Sequence, residues 1–412
     1  MRTISNCRSC NASQLTEVLS LGNLGLSEFK NGVEVEKYPL NLVLCENCKL
    51  VQLKETCPPD KLYTDNYGYR SGINNTIRAD LKSVVDDVLS LVTLDKDDNI
   101  FDIGSNDGTL IRNYPKEKGI TTFGFEPVKK FAVESSSYID VVYNGYYPTP
   151  TFKTDTHKAK VITVISCFYD LDDPNIFVEA LKHHLAENGI IVIQQNYVGG
   201  MLKQNAFDNV VHEHLEYYSL LSLENLLNRH GLEVFKVSQN SINGGSFRTF
   251  IAHTGSREVE QSVLDLRSEE EVSELDNKWI YADFAHRVRT IKDDLFTFIR
   301  GKVNQGKKVY VYGASTRGNT LLQYCELGPD LITAAVERNP EKWGTEISSL
   351  HIPIISEEQA RKEEPDYLLV LPWYFRTEFL KREEDYLNRG GQFIFPMPDF
   401  QVIGYEDIRN NS

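Results

Sequence analysis

The sequence predicts an α/β protein of three parts: a small cysteine-bearing module, a central doubly wound domain and a second Rossmann-like domain at the C-terminal end. Three observations carry that expectation. The length of 412 residues exceeds what one hydrophobic core organises and favours two or three domains. Two C-x2-C pairs fall within the first 48 positions. A strand, a glycine turn and a helix can be read twice, at "NIFDIGSNDGTLIRNY" and at "KKVYVYGASTRGNTLLQYCEL".

Composition narrows the class. With 41% hydrophobic residues and no apolar run near the roughly 18 residues of a membrane span, a soluble globular protein with no membrane partner is expected. The net charge of −15 argues against a nucleic-acid partner, whose backbone is bound by clustered Lys and Arg. The opening "MRTISNCRSC" lacks the basic-then-apolar layout of a secretory signal, so a cytoplasmic location is expected. Nothing in the sequence sets the oligomeric state.

Residues 1–60 form the first module. Cys7 and Cys10, then Cys45 and Cys48, make two knuckles separated by 34 residues, and four thiolates complete a tetrahedral zinc site. Such a site has no open position, so the Zn2+ it holds is structural; a redox pair is the alternative. Cys57, Cys167 and Cys325 are isolated and read as small buried hydrophobes.

Residues 61–260 form the central domain. The strand "NIFDIG" runs into a turn made by Asp102, Gly104, Ser105, Asn106, Asp107 and Gly108, followed by a predicted helix. The glycines let a ligand approach the backbone, while Asp102 disfavours a pyrophosphate and favours a ligand with a cationic end. The next strand ends at Glu126, 22 positions beyond Gly104, where a carboxylate can accept from ribose hydroxyls. These features resemble the S-adenosylmethionine (SAM) site of a class I methyltransferase; a dinucleotide site is the alternative, although "GSNDG" departs from G-x-G-x-x-G. "KVITVISCFYDLDDP" reads as a fourth strand with its loop and "LAENGIIVIQQNY" as a fifth.

"HEH", His212 to His214, begins 16 residues after the fifth strand, on the substrate side of the predicted topology. The spacing does not match the H-E-x-x-H of a zinc helix, so a second metal is disfavoured. In an extended segment His212 and His214 share a side and Glu213 opposes them; in a helix they splay apart. A histidine is largely neutral at cytoplasmic pH and can take a proton. The alternative, for His212 above all, is a satisfied polar group near the core.

The four cysteines, "DIGSNDGTL", "HEHLEYYSL", "NGGSFR" and "YGASTRGNTLLQY" occur in this order, and together they resemble the nucleotide-sugar C-methyltransferases across nearly the whole chain. The resemblance implies a SAM-dependent enzyme that methylates carbon of a nucleotide-linked 4-keto-deoxysugar through an enolate. It implies His214 as the base and a functional tyrosine in "DNYGYRSG", aligned with Tyr69 more readily than with Tyr67. The chemistry itself lets Glu213 orient the imidazole or contact the substrate, and Tyr67 and Tyr69 donate to the sugar oxygens; His212 is a further catalytic candidate. Two positions depart from the family pattern: Val211 stands where a tyrosine precedes H-E-H, and Asp170 where a histidine follows the fourth strand. These departures leave O- or N-methylation of a sugar as an alternative, and a non-catalytic SAM- or nucleotide-sugar-binding protein as another.

Residues 261–305 read as a solvated helical connector, with interleaved charges from "SEEEVSELDNKW" to "FTFIRGKVNQG". In the C-terminal domain, residues 306–412, Gly313 and Gly318 bound a second turn, where Ser315, Thr316, Arg317 and Asn319 can donate to a diphosphate at the helix start. The next strand ends near Glu337, and "DYLLVLPWYF" reads as a buried strand followed by a polar edge. "INGGSFR" brings Asn243 and Arg248 as further substrate contacts beside the permissive Gly244 and Gly245, with Arg248 pairing either a phosphate or a domain-interface carboxylate.

Overall fold

The computed structural model describes residues 1–62, 70–150, 152 and 157–409. Tyr67 and Tyr69 lie outside the described residues.

In the N-terminal module, β1 (Arg2–Thr3) pairs with β5 (Glu55–Thr56), while β2 (Leu15–Gly25), β3 (Lys37–Cys45) and β4 (Val51–Leu53) form an antiparallel sheet. The central domain contributes β6 (Asn99–Ile103), β7 (Thr121–Phe125), β8 (Val141–Tyr143), β9 (Ala159–Ile165), β10 (Leu185–Asn196), β11 (Glu216–Tyr217), β12 (Leu232–Asn240) and β13 (Ser246–His253). Seven of these make one sheet in the order β12-β13-β10-β9-β6-β7-β8, in which β13 alone runs against its neighbours. The strand order reverses between β6 and β9. Their carboxyl ends therefore open a crevice at a topological switch point, where α/β sheets bind ligands.

Both faces of this sheet are apolar, and its strands alternate between them. Ile100, Val161, Ile190 and Val192 pack toward helix Asn75–Leu91, whose Leu81, Val84, Val85 and Val88 recur at helical spacing. Phe101, Ile162, Ile191 and Ile193 face a second core that continues into the N- and C-terminal parts. The remaining strand of the domain, β11, leaves this sheet and adds to the edge of the N-terminal one, pairing Glu216 with Gln52 and Tyr217 with Val51.

The helix expected after the first glycine turn does not form. Two short 3-10 turns, Ile111–Asn113 and Lys116–Lys118, replace it. Asn113 Nδ2 takes the carbonyls of Thr109 (2.9 Å) and Leu110 (3.3 Å), and Pro115 withholds the amide that would continue the ladder.

The connector is two helices, Gln261–Val272 and Lys278–Asn304, and the second is not simply solvated. Its Tyr281, Phe284, Val288, Ile291, Leu295 and Ile299 form a buried stripe packed against β2 and the C-terminal domain. That domain carries β14 (Val309–Tyr312), β15 (Ala335–Glu337), β16 (Glu346–Ile347), β17 (Ile352–Ser356), β18 (Tyr367–Val370), β19 (Gln392–Phe395) and β20 (Gln401–Ile403), in the order β16-β17-β15-β14-β18-β19-β20. Its glycine turn does open the predicted helix, Thr316–Tyr324. After β18 the expected polar edge is aromatic instead: Trp373, Tyr374 and Phe375. The β2–β3 hairpin reaches this domain through Gly25 N to Gln323 Oε1 (2.7 Å), Lys30 N to Ser348 Oγ (3.0 Å) and Lys342 Nζ over the Phe29 ring (4.0 Å).

Arg248 is taken up by the fold. Only 4% exposed on β13, it donates to Gln194 Oε1 (2.7 Å), Ser83 Oγ (2.9 Å) and Asp80 Oδ1 (3.1 Å), and it pairs with Asp87. Its carboxylate partners, Asp80 and Asp87, lie on helix Asn75–Leu91, within the domain. Arg248→Ala removes one side of this buried network and is expected to destabilise the protein by about 3 kcal/mol. Denaturant unfolding checks this; an unchanged midpoint would contradict it.

Candidate active site

The metal ligands converge. The Sγ atoms of Cys7, Cys10, Cys45 and Cys48 lie within 4.8 Å of one another, with Cys7–Cys48 and Cys10–Cys45 both at 3.5 Å. Tetrahedral thiolates at about 2.3 Å from zinc stand about 3.8 Å apart, so the donor set fits the ion. Of the isolated cysteines, Cys57 and Cys325 are buried as expected, and Cys167 is half-buried beneath the glycine turn.

Asp102, Gly104, Ser105, Asn106 and Glu126 line one cleft at the switch point, together with Cys167, Asp170 and Asn243. Gly104 takes φ +73°, and a Cβ there would stand 3.0 Å from Cys167 Sγ, so the turn admits no side chain. Glu126 accepts from the amides of Asn106 (2.9 Å) and Val128 (2.7 Å), which fixes its carboxylate at the rim. Asp102 accepts from Thr163 Oγ1 (2.6 Å), and burial, with the nearby charge of Glu126, pushes it up to about 7. Burial pushes Glu126 up as well. Two buried carboxylates held by neutral donors favour a cationic ligand. Asp107 and Gly108 stand apart from this lining: Asp107 accepts from Gly72 N (2.9 Å) and Thr109 Oγ1 (2.6 Å), and Gly108 packs on Ser135.

"HEH" is neither strand nor helix. His214 N donates to Val211 O (3.2 Å), closing a turn with His212 and Glu213 at its centre. The two histidines diverge. His212 sends Nε2 to Tyr38 O (3.2 Å) on the N-terminal module, whereas His214 places Nδ1 on Asn209 O (2.9 Å) and stacks edge-on against Tyr169 at 4.4 Å. Burial pushes His214 down to about 4, and the charge of Arg317 adds to the fall. The ring is therefore neutral, and a carbonyl acceptor at Nδ1 assigns the proton there and the lone pair to Nε2. Burial raises Glu213 to about 7.

Among the described residues of the C-terminal turn, Arg317 makes the polar contacts with this region. Arg317 Nε donates to Asp208 Oδ2 (2.9 Å), Nη1 reaches the Asn243 carbonyl, and the guanidinium lies over Tyr374 at 4.7 Å. Trp373 Nε1 also donates to Asp208 (3.2 Å). Ser315 caps its own helix through Gly318 N (3.1 Å), Thr316 opens that helix half-buried, and Asn319 donates to Ser27 Oγ (3.0 Å) on the N-terminal hairpin. Sequence reasoning missed Tyr169, Asp208, Asn209 and Trp373. "FDN" preceding "VVHEH" is a weak turn signal, and only the tertiary contacts give it meaning.

Comparison with known proteins assigns each part. Residues 7–63 match a zinc binding domain, residues 76–237 a methyltransferase domain, and residues 241–398 a "C-methyltransferase C-terminal domain". Fold and site thus define a class I SAM-dependent methyltransferase with a zinc-binding module, whose cleft fits the cationic cofactor. More particularly, the chain belongs to the C-methyltransferase family: it is 30% identical to C-methyltransferase NovU of Streptomyces niveus, over 98% of each chain. Among solved structures it is similar to a SAM-dependent methyltransferase of Leishmania major (13% identity, 56% of this chain and 97% of that one, TM-score 0.38). A second, from Clostridium acetobutylicum, gives 12% identity over 45% of this chain and 94% of that one, with a TM-score of 0.35. Among the described residues, no helix is long and apolar enough to cross a membrane.

Two outcomes are expected. Glu126→Gln weakens S-adenosylhomocysteine binding by about tenfold or more in calorimetry, because a carboxylate is the stronger acceptor. Stripping the metal with a chelator lowers the melting temperature, and elemental analysis finds zinc in the untreated protein; a metal-free preparation of equal stability would contradict a structural role.

Proposed function

We propose that the enzyme methylates carbon of a nucleotide-linked 4-keto-deoxysugar, with His214 as the base. The observation that carries this reading is the neutral imidazole with Nδ1 committed to Asn209, which reserves Nε2 for a proton. When bound, the cofactor supplies an electrophilic methyl group. His214 removes the proton from the sugar carbon beside the ketone, and the electron pair moves into the carbonyl to give an enolate. Glu213, raised to about 7 by burial, donates a hydrogen bond to the enolate oxygen in its protonated form. The enolate carbon would take that methyl as its bond to sulfur breaks and the pair stays on the thioether, the ketone re-forms, and His214 loses its proton to solvent. Tyr69 and Tyr67 are proposed sugar contacts. His212 anchors the turn to the N-terminal module, and Ser315, Thr316 and Arg317 are the proposed nucleotide-facing group, with Asn319 tying their helix to the N-terminal hairpin, Asn243 at the cleft and Arg248 taken up by the fold.

A second reading is O- or N-methylation of a sugar, favoured by Asp170, whose carboxylate lines the cofactor cleft where the family pattern has a histidine. A hydroxyl or amine needs only modest base help. Mass spectrometry of reactions across a panel of nucleotide-linked keto-sugars separates the readings. A gain of one CH2, carbon-bound by NMR and lost in His214→Ala, is the expected result; a methyl on oxygen or nitrogen would contradict it.

The pH profile is a further test. At saturating cofactor, kcat/KM for the sugar is expected to fall below about pH 4 as His214 protonates, and above about pH 7 as Glu213 ionises. Glu213→Gln should remove the alkaline limb, and an unchanged limb would separate Glu213 from the reaction.

A further inference from the structure

We propose that Asn196, Asp208 and Asn209 form a hydroxyl-reading face of the acceptor site, and that the acceptor presents a ring hydroxyl to it. The proposal rests on the reading of His214 as the base, because the turn Phe207–Asn209 carries Asp208 and Asn209 and holds His214 through the Asn209 carbonyl.

Asp208 and Asn209 are 0% and 1% exposed. Each of the three side chains is held by one polar atom and leaves the other without a protein partner. Asp208 accepts Arg317 and Trp373 on Oδ2 and leaves Oδ1 unpartnered. Asn196 Nδ2 donates to Asn209 Oδ1 (3.1 Å), leaving Asn196 Oδ1 and Asn209 Nδ2. Buried polar atoms are nearly always paired, so three orphans on adjoining residues call for one explanation. They comprise two acceptors and one donor, which complements a hydroxyl that donates once and accepts once. Exchanging oxygen and nitrogen in both amides would preserve their mutual bond and still leave one donor and one acceptor, so the match does not depend on that assignment.

Position gives the match its meaning. The Asn209 carbonyl holds His214 Nδ1 at 2.9 Å, and the Arg317 that grips Asp208 also grips the Asn243 carbonyl at the cofactor cleft. A hydroxyl bound here therefore belongs to the molecule whose carbon is deprotonated. Asn196, at the carboxyl end of β10, extends the face toward the centre of the sheet.

Calorimetry on the full chain, with zinc and S-adenosylhomocysteine bound, tests this without methyl transfer. The probes are a nucleoside-diphosphate-linked 4-keto-6-deoxyhexose with free ring hydroxyls and its matched 2-deoxy and 3-deoxy forms. The wild type is expected to bind the hydroxylated probe at least about tenfold more tightly than one deoxy form, and Asn209→Ala should erase that difference by weakening only the hydroxylated probe. Equal losses on all probes, no wild-type preference or no binding would each overturn the proposal; the first would leave the atoms to buried water. Near-isosteric Asn209→Asp controls for folding through unchanged S-adenosylhomocysteine affinity. His214→Ala, run in parallel, should keep the preference. Full methyl transfer by that variant would remove the base assignment while the binding pattern stands or falls separately.

Discussion

The pairing of Glu216–Tyr217 with Val51–Gln52 is the constraint on which the rest of the site depends. Leu215 gives its carbonyl to Leu53 N (2.9 Å), so the segment is fixed to the N-terminal sheet from the residue directly after His214. On the other side, Asn209 O holds the ring itself. The candidate base is thus pinned from both directions. Cys45 ends β3, Cys48 lies in the connection to β4, and Gln52 Nε2 reaches Cys7 Sγ at 3.1 Å, so the metal knot stabilises the strand that receives this segment. A closed zinc site acts here by holding a sheet edge in register, without touching the reacting atoms.

Burial then sets the chemistry. Asp102, Glu126 and Glu213 are all raised by desolvation and His214 is lowered, so the pocket is poor in stable charge apart from what a ligand brings. Asp102 and Glu126 line the cleft as two acidic groups suited to a cationic ligand, and a neutral imidazole keeps its lone pair. Arg317 is the exception among these groups, a buried cation held by Asp208 across the domain boundary. Its charge discourages protonation of His214 and fixes the C-terminal domain against the turn that carries Asp208 and Asn209.

Much of this was legible in the sequence because it is local. The knuckle spacing, the glycine turn after an apolar strand and the acidic residue one strand later each record a short-range requirement, and each reappears in the fold. What was hidden depends on long-range pairing. No local pattern says that Glu216–Tyr217 leaves its own domain, that Arg248 turns to helix Asn75–Leu91, or that Asn319 serves the N-terminal hairpin. The missing helix after Gly108 is a local failure: Asn113 and Pro115 carried the warning, and the apolar pattern outweighed it. Similarly, the connector's charges concealed a stripe of seven buried side chains.

The most direct test of the central claim is proton exchange in deuterated water with S-adenosylhomocysteine in place of the methyl donor. Base removal of a carbon-bound proton predicts deuterium beside the ketone of a nucleotide-linked 4-keto-deoxysugar, at a rate that collapses in His214→Ala. No incorporation above the uncatalysed rate, from a wild-type enzyme that methylates the same sugar, would contradict carbon chemistry at this site.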